Sequence, residues 1–453
     1  MALTGIQILK MLPKKNCGEC KIPTCLAFAM KVAAGQVDIG ECPYVDEAVK
    51  ETIGEASAPP IRTIKIGAGD SSFTTGGENC LFRHEKRFEN PTGIGVLLTT
   101  IMDDQAITSR IENFIKLQYE RVGVLLKADL IAVKDAKNEA GSFTALVQRV
   151  MDKAPNANLI LMSDTATNLA AASKVCKDRK PLLYGATAEN LKELVTLAKE
   201  VTCPLAVRGK NLDDAVAISE ELMKAGLKDL VIDTGARTIR AALEDNIVAR
   251  RSAVTKKYKP LGFPTINFPC EMTDDPMMEA MIASVLIAKY AGIVILSDLQ
   301  GETLFPLLLE RLNIFTDPQR PMVVEENIYP LNGPGPDSPV IITCNFSLTY
   351  FIVSGEIEGS KVPSWLLIKD TEGLSVLTAW AAGKFGADLI AQFIKKSGIE
   401  EKISHRELMI PGYLASIKGE LEEELPQWTI TIGPREAGHI PAFLKEWKPT
   451  PKK

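Results

Sequence analysis

Between Ile94 and Ser297 the chain alternates short, fully apolar runs with longer amphipathic stretches. The apolar runs are Ile94–Thr100, Leu130–Lys134, Leu159–Ser163, Leu182–Ala186, Pro204–Arg208, Asp229–Asp233, Pro264–Phe268 and Gly292–Ser297. Stretches such as Ala188–Val201 and Asn211–Ala225 lie between them and space their apolar residues as a helix does. Strands that are apolar on both faces, separated by helices, belong to parallel sheets with crossover connections. Eight such units over roughly 220 residues predict a (β/α)8, or TIM, barrel, with an open doubly wound sheet as the alternative. Met277–Leu299 is the most apolar stretch, but Glu279, Lys289 and Asp298 interrupt it. It reads as a helix running into a strand and not as a membrane span.

The pattern changes on both sides of this region. The residues up to about Ala56 hold four cysteines, and Glu55–Pro60 (EASAPP) reads as a linker. A strand is expected at Ile61–Gly67, followed by a Gly-rich hairpin region at Ser71–Pro91. Phe315–Pro339 is rich in Pro and Gly, and βα alternation then restarts. Its strand-like runs are Val340–Cys344, Tyr350–Val353, Trp365–Lys369, Leu408–Ile410 and Thr429–Ile432, with amphipathic segments at Gly373–Phe385 and Tyr413–Glu424. This predicts a small Rossmann-like domain. The expected α/β chain thus has an N-terminal domain at 1–57, a barrel with its hairpin extension at 58–324, and a C-terminal domain at 325–453.

Of the 453 residues 46% are hydrophobic and 24% charged, an ordinary composition for a protein with a sizeable core. The net charge of −5, with signs mixed along the chain, argues against a nucleic-acid partner. The N-terminus shows no signal-peptide pattern. Cys80, Cys176, Cys203, Cys270 and Cys344 are scattered in apolar settings and are expected to be small buried hydrophobes in a reducing cytoplasm.

The candidate chemistry begins with Cys17, Cys20, Cys25 and Cys42, spaced C-x2-C-x4-C-x16-C. Three thiolates on one tight turn and a fourth returning across a short helix suit a cubane iron–sulfur cluster. Gly18 and Pro23 let the chain wrap closely, and Pro43 follows the last cysteine. Structural zinc and a disulfide remain alternatives, although zinc sites usually pair two close C-x2-4-C units. The three histidines, His84, His405 and His439, form no metal-spaced pair, and no P-loop or GxGxxG opens a helix. Arg83 and His84 are expected in a polar cluster at the barrel base. Asp164, Asp233 and Asp298 end barrel strands, where helix N-capping is their ordinary role, and no catalytic set emerges around them. In the C-terminal domain three segments follow strands: Thr343–Thr349, Asp370–Val376 and Ile432–Gly438. The Gly373 turn is expected to offer backbone N–H groups and hydroxyls to an anionic or amide-rich ligand.

The cysteine segment, the GGENCLFRHEKRFENP stretch (Gly76–Pro91), and the TCNFSLTYF, TEGLSVLTAW and IGPREAGHIP segments together resemble the large (gamma) subunits of the corrinoid iron–sulfur protein of the acetyl-CoA decarbonylase/synthase complex. The resemblance spans the whole chain. It implies a [4Fe-4S] domain held by Cys17, Cys20, Cys25 and Cys42, a barrel, and a corrinoid (cobalamin)-binding domain. It further implies a methyl carrier of the reductive acetyl-CoA pathway. The Co(I) corrinoid accepts methyl from methyltetrahydrofolate through a separate methyltransferase and passes it to the nickel centre of acetyl-CoA synthase/CO dehydrogenase. The cluster returns Co(II) to Co(I) with electrons from a low-potential donor such as ferredoxin. A small subunit is the implied partner at the other side of the corrinoid. The positions carried over for corrinoid contacts are Thr343, Thr349, Gly373, Leu374, Ser375, Val376 and Ala437. Many cobalamin domains supply a lower ligand from Asp-x-His-x-x-Gly. Neither His405 nor His439 has Asp two residues before it, so a base-off corrinoid without a protein histidine is expected.

Overall fold

The computed structural model describes residues 4–33, 37–46, 49–50, 53–54, 58–121 and 124–449. The expected linker Glu55–Pro60 lies partly outside them, at 55–57. The chain clusters into two compact units, Met1–Tyr119 with Leu126–Phe315, and Glu120–Leu125 with Thr316–Lys453.

The first unit opens with helices α1 (Gly5–Met11) and α2 (Cys25–Ala33). Thr4 and Gln7 start α1 with a reciprocal capping box, which satisfies two amide donors that the first turn leaves without partners. Ile8, Leu12, Ile22, Phe28, Val32, Ile39 and Ile53 form a small core of their own. Gly5 packs against Met30: a Cβ there would lie 2.3 Å from the Met30 sulfur and 3.1 Å from its Cα, so a larger residue would push the Met30 side chain aside.

Strands β1 (Ile64–Ile66) and β2 (Phe73–Thr75) pair as an antiparallel hairpin. All eight expected runs then form strands of one closed parallel barrel. They are β3 (Gly93–Thr99), β6 (Leu130–Lys134), β7 (Asn158–Met162), β8 (Leu182–Ala186), β9 (Leu205–Arg208), β10 (Leu230–Asp233), β11 (Thr265–Asn267) and β12 (Ala291–Leu296); a short hairpin, β4 (Tyr119–Arg121) and β5 (Val124–Leu126), intervenes after the first. The pairing follows chain order and closes where Ile293–Leu296 meets Gly93–Val96. Successive strand residues face two cores. Leu130, Ala132, Ile160 and Ile293 fill the interior together with Ile64, Ile66 and Phe73 of the hairpin, which plugs one end. Ile131, Val133 and Leu161 face an outer ring of helices. That ring is α3 (Asp104–Lys116), α4 (Ala140–Lys153), α5 (Ala166–Val175), α6 (Leu191–Val201), α7 (Leu212–Lys224), α8 (Ile239–Lys256), α9 (Pro276–Ala288) and α10 (Gly301–Ile314).

At the barrel base Arg83 donates to the carbonyls of Asn313 and Ile314, and the His84 ring stacks on Phe82. Glu78 is the buried centre of this region. One carboxylate oxygen accepts from the Glu89 and Asn90 amides, and the other accepts from Arg250 Nη2 at 2.8 Å. Arg250 also donates to the Cys80 carbonyl and lies over the Phe88 and Tyr290 rings. Glu78 and Gly77 both bond to the backbone of Ile61, so the network holds the chain where it enters the barrel.

The second unit carries a five-stranded sheet in the order β13-β15-β14-β16-β17. Its strands are β13 (Asn327–Leu331), β14 (Val340–Cys344), β15 (Ser364–Lys369), β16 (Glu407–Ile410) and β17 (Thr429–Ile432). All are parallel except β13, which pairs antiparallel at the edge. Its helices are α11 (Ser347–Ser360), α12 (Val376–Ala381), α13 (Ala387–Ser397), α14 (Lys418–Glu424) and α15 (Ile440–Glu446). Val340, Ile342 and Leu408 pack on one face with Ile390 and Leu421. Ile341, Leu366 and Met409 pack on the other with Ile357 and Leu444. Apolar cores on both faces of a mostly parallel sheet make this a doubly wound unit.

Two expectations fail here. Tyr350–Val353 is not a strand but lies inside α11. β14 and β15 are parallel neighbours, and parallel neighbours need a crossover, which this segment provides. Gly373–Phe385 is helical only over Val376–Ala381, because the residues before it form a tight turn with Glu372 and Gly373 at positive φ. Strand β13 was not anticipated.

Candidate cofactor sites

Three of the four N-terminal cysteines, Cys20, Cys25 and Cys42, join or line the small core of the first helices. Cys42 is buried, Cys20 and Cys25 are half-buried, and Cys17 is exposed. Lys14, Asn16, Gly18 and Lys21 all take positive φ, which folds the chain tightly around the first three. Asn16 brackets Cys25: its amide approaches the Cys25 sulfur at 3.3 Å, and its side-chain oxygen accepts from the Cys25 amide at 2.8 Å. Tyr44 lies near enough to Cys17 and Cys42 to feel their charge. Its phenol donates to Glu19 at 2.6 Å, and this bond is the main reason its pKa is raised. Lys15 sits 3.8 Å from the centre of the Tyr44 ring. Among the described residues no group of three or more Cys, His, Asp or Glu side chains stands in metal-holding geometry. The donor chemistry nevertheless fits an iron–sulfur cluster, since four thiols without a disulfide are the soft ligands such a cluster takes. The scattered cysteines differ: burial pushes the Cys176 and Cys270 thiols up to about 12 and Cys203 to about 11, so they stay protonated.

In the second unit the expected contact positions gather at the carboxyl ends of the parallel strands, where open α/β sheets place ligands. Thr343 is buried within β14, and Thr349 lies half-buried in the first turn of α11. Leu374, Ser375 and Val376 are half-buried where β15 runs into α12, and Ala437 is half-buried after β17. The Gly373 turn is not the open donor site expected. Its amides are already engaged: Thr371 and Gly373 donate to Asn345 Oδ1, both at 3.0 Å, and Glu372 donates to Asp370 Oδ1 at 2.9 Å. The Asn345 side-chain amide also donates to Asp370 at 2.7 Å, and the Thr371 hydroxyl lies 2.9 Å from Asn345 Oδ1. Gly373 is required by conformation: its φ is +75°, and a Cβ would meet Pro321 and Val323 at 2.8 Å. Asn345 therefore organises the β14 and β15 loops, and sequence reasoning did not single it out.

Around this node stands an exposed apolar face. Leu348 and Ile352 of α11, Leu377 and Trp380 of α12, Tyr413 after β16 and Ile432 at the end of β17 are 40–56% exposed. All six lie on the four segments that end or leave the parallel strands. Each is already about half covered, so burying the remainder is worth half of the ~1.5–3 kcal/mol of full burial, comparable with a net hydrogen bond of about 1 kcal/mol. Six such side chains together would hold a large flat ligand by contact at least as much as by any one hydrogen bond. His405 lies at the amino end of β16, where its Nδ1 accepts from the Glu407 amide and its Nε2 bonds the Ser338 carbonyl. His439 is exposed after β17.

The carboxylates at the barrel strand ends are not the helix caps expected. Asp233 is buried, bonded by Tyr184 at 2.5 Å and forked by Arg237 at 3.0 and 2.8 Å. Asp164 pairs with Arg208, and Asp298 accepts from the Leu299 amide. Arg237 and Lys134 both reach Glu271. These charges satisfy one another. No helix among the described residues is long and apolar enough to cross a membrane.

Comparison with known proteins adds matches to family patterns, full-length relatives and a solved structure. The sequence pattern of the family described as "CO dehydrogenase/acetyl-CoA synthase delta subunit" matches residues 63–444, and an Fe-S cluster family pattern matches 12–44. The "Corrinoid/iron-sulfur protein large subunit" of Moorella thermoacetica is 42% identical, covering 98% of this chain and 99% of that one. The "Acetyl-CoA decarbonylase/synthase complex subunit gamma" of Archaeoglobus fulgidus is 34% identical, covering 98% of both chains. The delta-subunit pattern begins after the four cysteines, whereas the full-length relatives span them as well. Among solved structures, the dihydropteroate synthase of Thermus thermophilus is similar at 14% identity and a TM-score of 0.39, over 56% of this chain and 100% of that one.

Proposed function

The chain belongs to the CO dehydrogenase/acetyl-CoA synthase subunit family and, over its whole length, to the corrinoid/iron–sulfur large (gamma) subunits, and from that premise we propose that it is a methyl carrier of the acetyl-CoA pathway. The single observation that carries this reading is the apolar face of six exposed side chains at the carboxyl ends of the second unit's parallel strands. When bound, a corrinoid supplies a cobalt centre that exchanges a methyl group, and a [4Fe-4S] cluster supplies electrons at low potential.

The chain's own residues hold and shield. Leu348, Leu377, Trp380 and Tyr413 offer contact area to a macrocycle and keep water from one side of it. Asn345 fixes the two loops that carry Leu348, Leu377 and Trp380. Ser375 leaves its hydroxyl near Thr378, at 3.1 Å, without a cap bond to the helix backbone. With Thr349, Leu374, Val376 and Ala437 it remains a contact position in this proposal; Thr343 and Gly373 shape the site from below. Cys17, Cys20, Cys25 and Cys42 would hold the cluster. The three parts are 1–57, 58–324 and 325–453. In this proposal a methyltetrahydrofolate-dependent methyltransferase would supply the methyl group, acetyl-CoA synthase would take it, and a small subunit would be the partner of the corrinoid site.

The test is metal analysis with a visible spectrum on protein purified without oxygen together with its small subunit. About four iron and one cobalt per pair, with a base-off corrinoid spectrum that responds to a low-potential reductant, are expected. Iron without cobalt, in cells supplied with corrinoid, would sink the methyl-carrier reading.

A further inference from the structure

The face beside the cysteine loop has a composition unlike the rest of the chain. Residues 10–31 hold five lysines, Lys10, Lys14, Lys15, Lys21 and Lys31, against one acid, Glu19, whereas the whole chain carries −5. All five lysines are exposed. The same helix pair also exposes apolar side chains. Leu26 and Met30, one turn apart on α2, are 49% and 55% exposed, and Ile6 of α1 is 63% exposed. The Gly5–Met30 contact sets Ile6 beside Met30, and Leu26 follows Cys25 directly. These side chains thus lead from the helix pair to a candidate cluster ligand. Exposed apolar residues in a segment rich in charge are a usual form of a protein-docking patch.

We infer that this face is where a small acidic electron-carrier protein docks to deliver electrons to the cluster. The inference rests on the cluster reading above and names the entry face for its electrons. Two features select this occupant. The excess of exposed lysines in residues 10–31 favours an acidic partner and speeds its encounter. The apolar side chains give short-range contact next to Cys25, so the docked partner's redox centre stands near the cluster ligands. A carrier must also leave after each transfer, which a small patch of three apolar side chains permits.

The test uses the cluster-loaded full chain with its small subunit, and a purified small acidic ferredoxin as probe. Binding is measured by calorimetry at low and at physiological salt. Cluster reduction is followed by stopped flow, with reduced ferredoxin and separately with titanium(III) citrate. A Lys14→Glu/Lys21→Glu/Lys31→Glu variant is expected to bind ferredoxin at least about tenfold more weakly at low salt and to lose most of its salt dependence. A Leu26→Ser/Met30→Ser variant is expected to weaken binding several-fold with the salt dependence kept. Reduction by titanium should be unchanged in both, which shows that the cluster is present and intact. Unchanged ferredoxin binding and reduction in both variants overturns the docking face while leaving the cluster reading standing. Loss of the small subunit from either variant in gel filtration assigns the face to that subunit and also overturns the inference. A wild-type protein that takes up no iron removes the cluster reading and this inference with it.

Discussion

At the scale of single residues, Asn345 carries the strongest prediction. Its one side-chain oxygen receives two buried backbone amides, and replacing it with alanine leaves both without a partner. Asn345→Ala should destabilise the second unit by about 1–3 kcal/mol and lower the cobalt retained after gel filtration. Asn345→Asp keeps the acceptor but sets a second carboxylate beside Asp370, so it should recover only part of both. Thermal unfolding with cobalt analysis reads the two effects, and a fully stable, cobalt-replete alanine variant would contradict the role. His439 gives a prediction of the opposite kind. It is exposed after β17, while His405 is tied down at the amino end of β16. If the corrinoid is base-off without a protein ligand, His439→Ala should leave its visible spectrum unmoved, and a spectral change would identify His439 as a ligand. Sequence reading took in Asn345 within the segment Thr343–Thr349 but did not single it out, because its partners lie 25–28 residues further on. A lone asparagine after a strand carries no mark of such a distant bond. The same blindness made the Gly373 amides look available.

At the scale of elements, the eight barrel strands were legible because each is buried on both faces and each is followed by an amphipathic helix. The same rule failed at Tyr350–Val353, where a short aromatic and β-branched run is as compatible with a buried helix as with a strand. Strand β13 escaped notice because Pro330 sits inside it, a residue that sheets tolerate at an edge. The exposed apolar face was also hidden: Leu348, Leu377 and Trp380 look like core residues in a sequence, and only the folded chain shows them about half exposed. Exposed positions change stability little, usually within about 0.5 kcal/mol. Leu377→Ser with Trp380→Ser should therefore leave the melting temperature nearly unchanged while cobalt retention falls several-fold. A large fall in melting temperature with cobalt retained would mean that α12 is a structural helix only.

At the scale of the whole molecule, two connections decide whether the parts work together. The first is the buried pair of Glu78 and Arg250 at the barrel base, which holds the chain just after the cysteine-bearing segment. Burial raises the Glu78 pKa, and Arg250 with the Glu89 and Asn90 amides opposes the rise. A carboxyl whose folded pKa is raised stabilises most below its unfolded value and loses that contribution as pH climbs through the folded value. Arg250→Gln removes the main opposing charge and raises the folded pKa further. The variant should lose about 3–5 kcal/mol, and its deficit should be larger at pH 8 than at pH 5 in urea unfolding. The second connection is electronic. The segment at 12–44 matches an Fe-S family pattern on its own, with a core separate from that of the barrel. If it serves only to return the cobalt to its active state, Cys20→Ser in the full chain should separate two functions. Protein already reduced by titanium(III) should still accept methyl at a near-normal rate, because the apolar face and Asn345 are untouched. Protein allowed to oxidise should no longer recover with reduced ferredoxin. Iron and cobalt analysis must accompany both assays: cobalt lost along with iron would show that the cysteine segment supports the corrinoid site physically, and the division of labour argued here would fall.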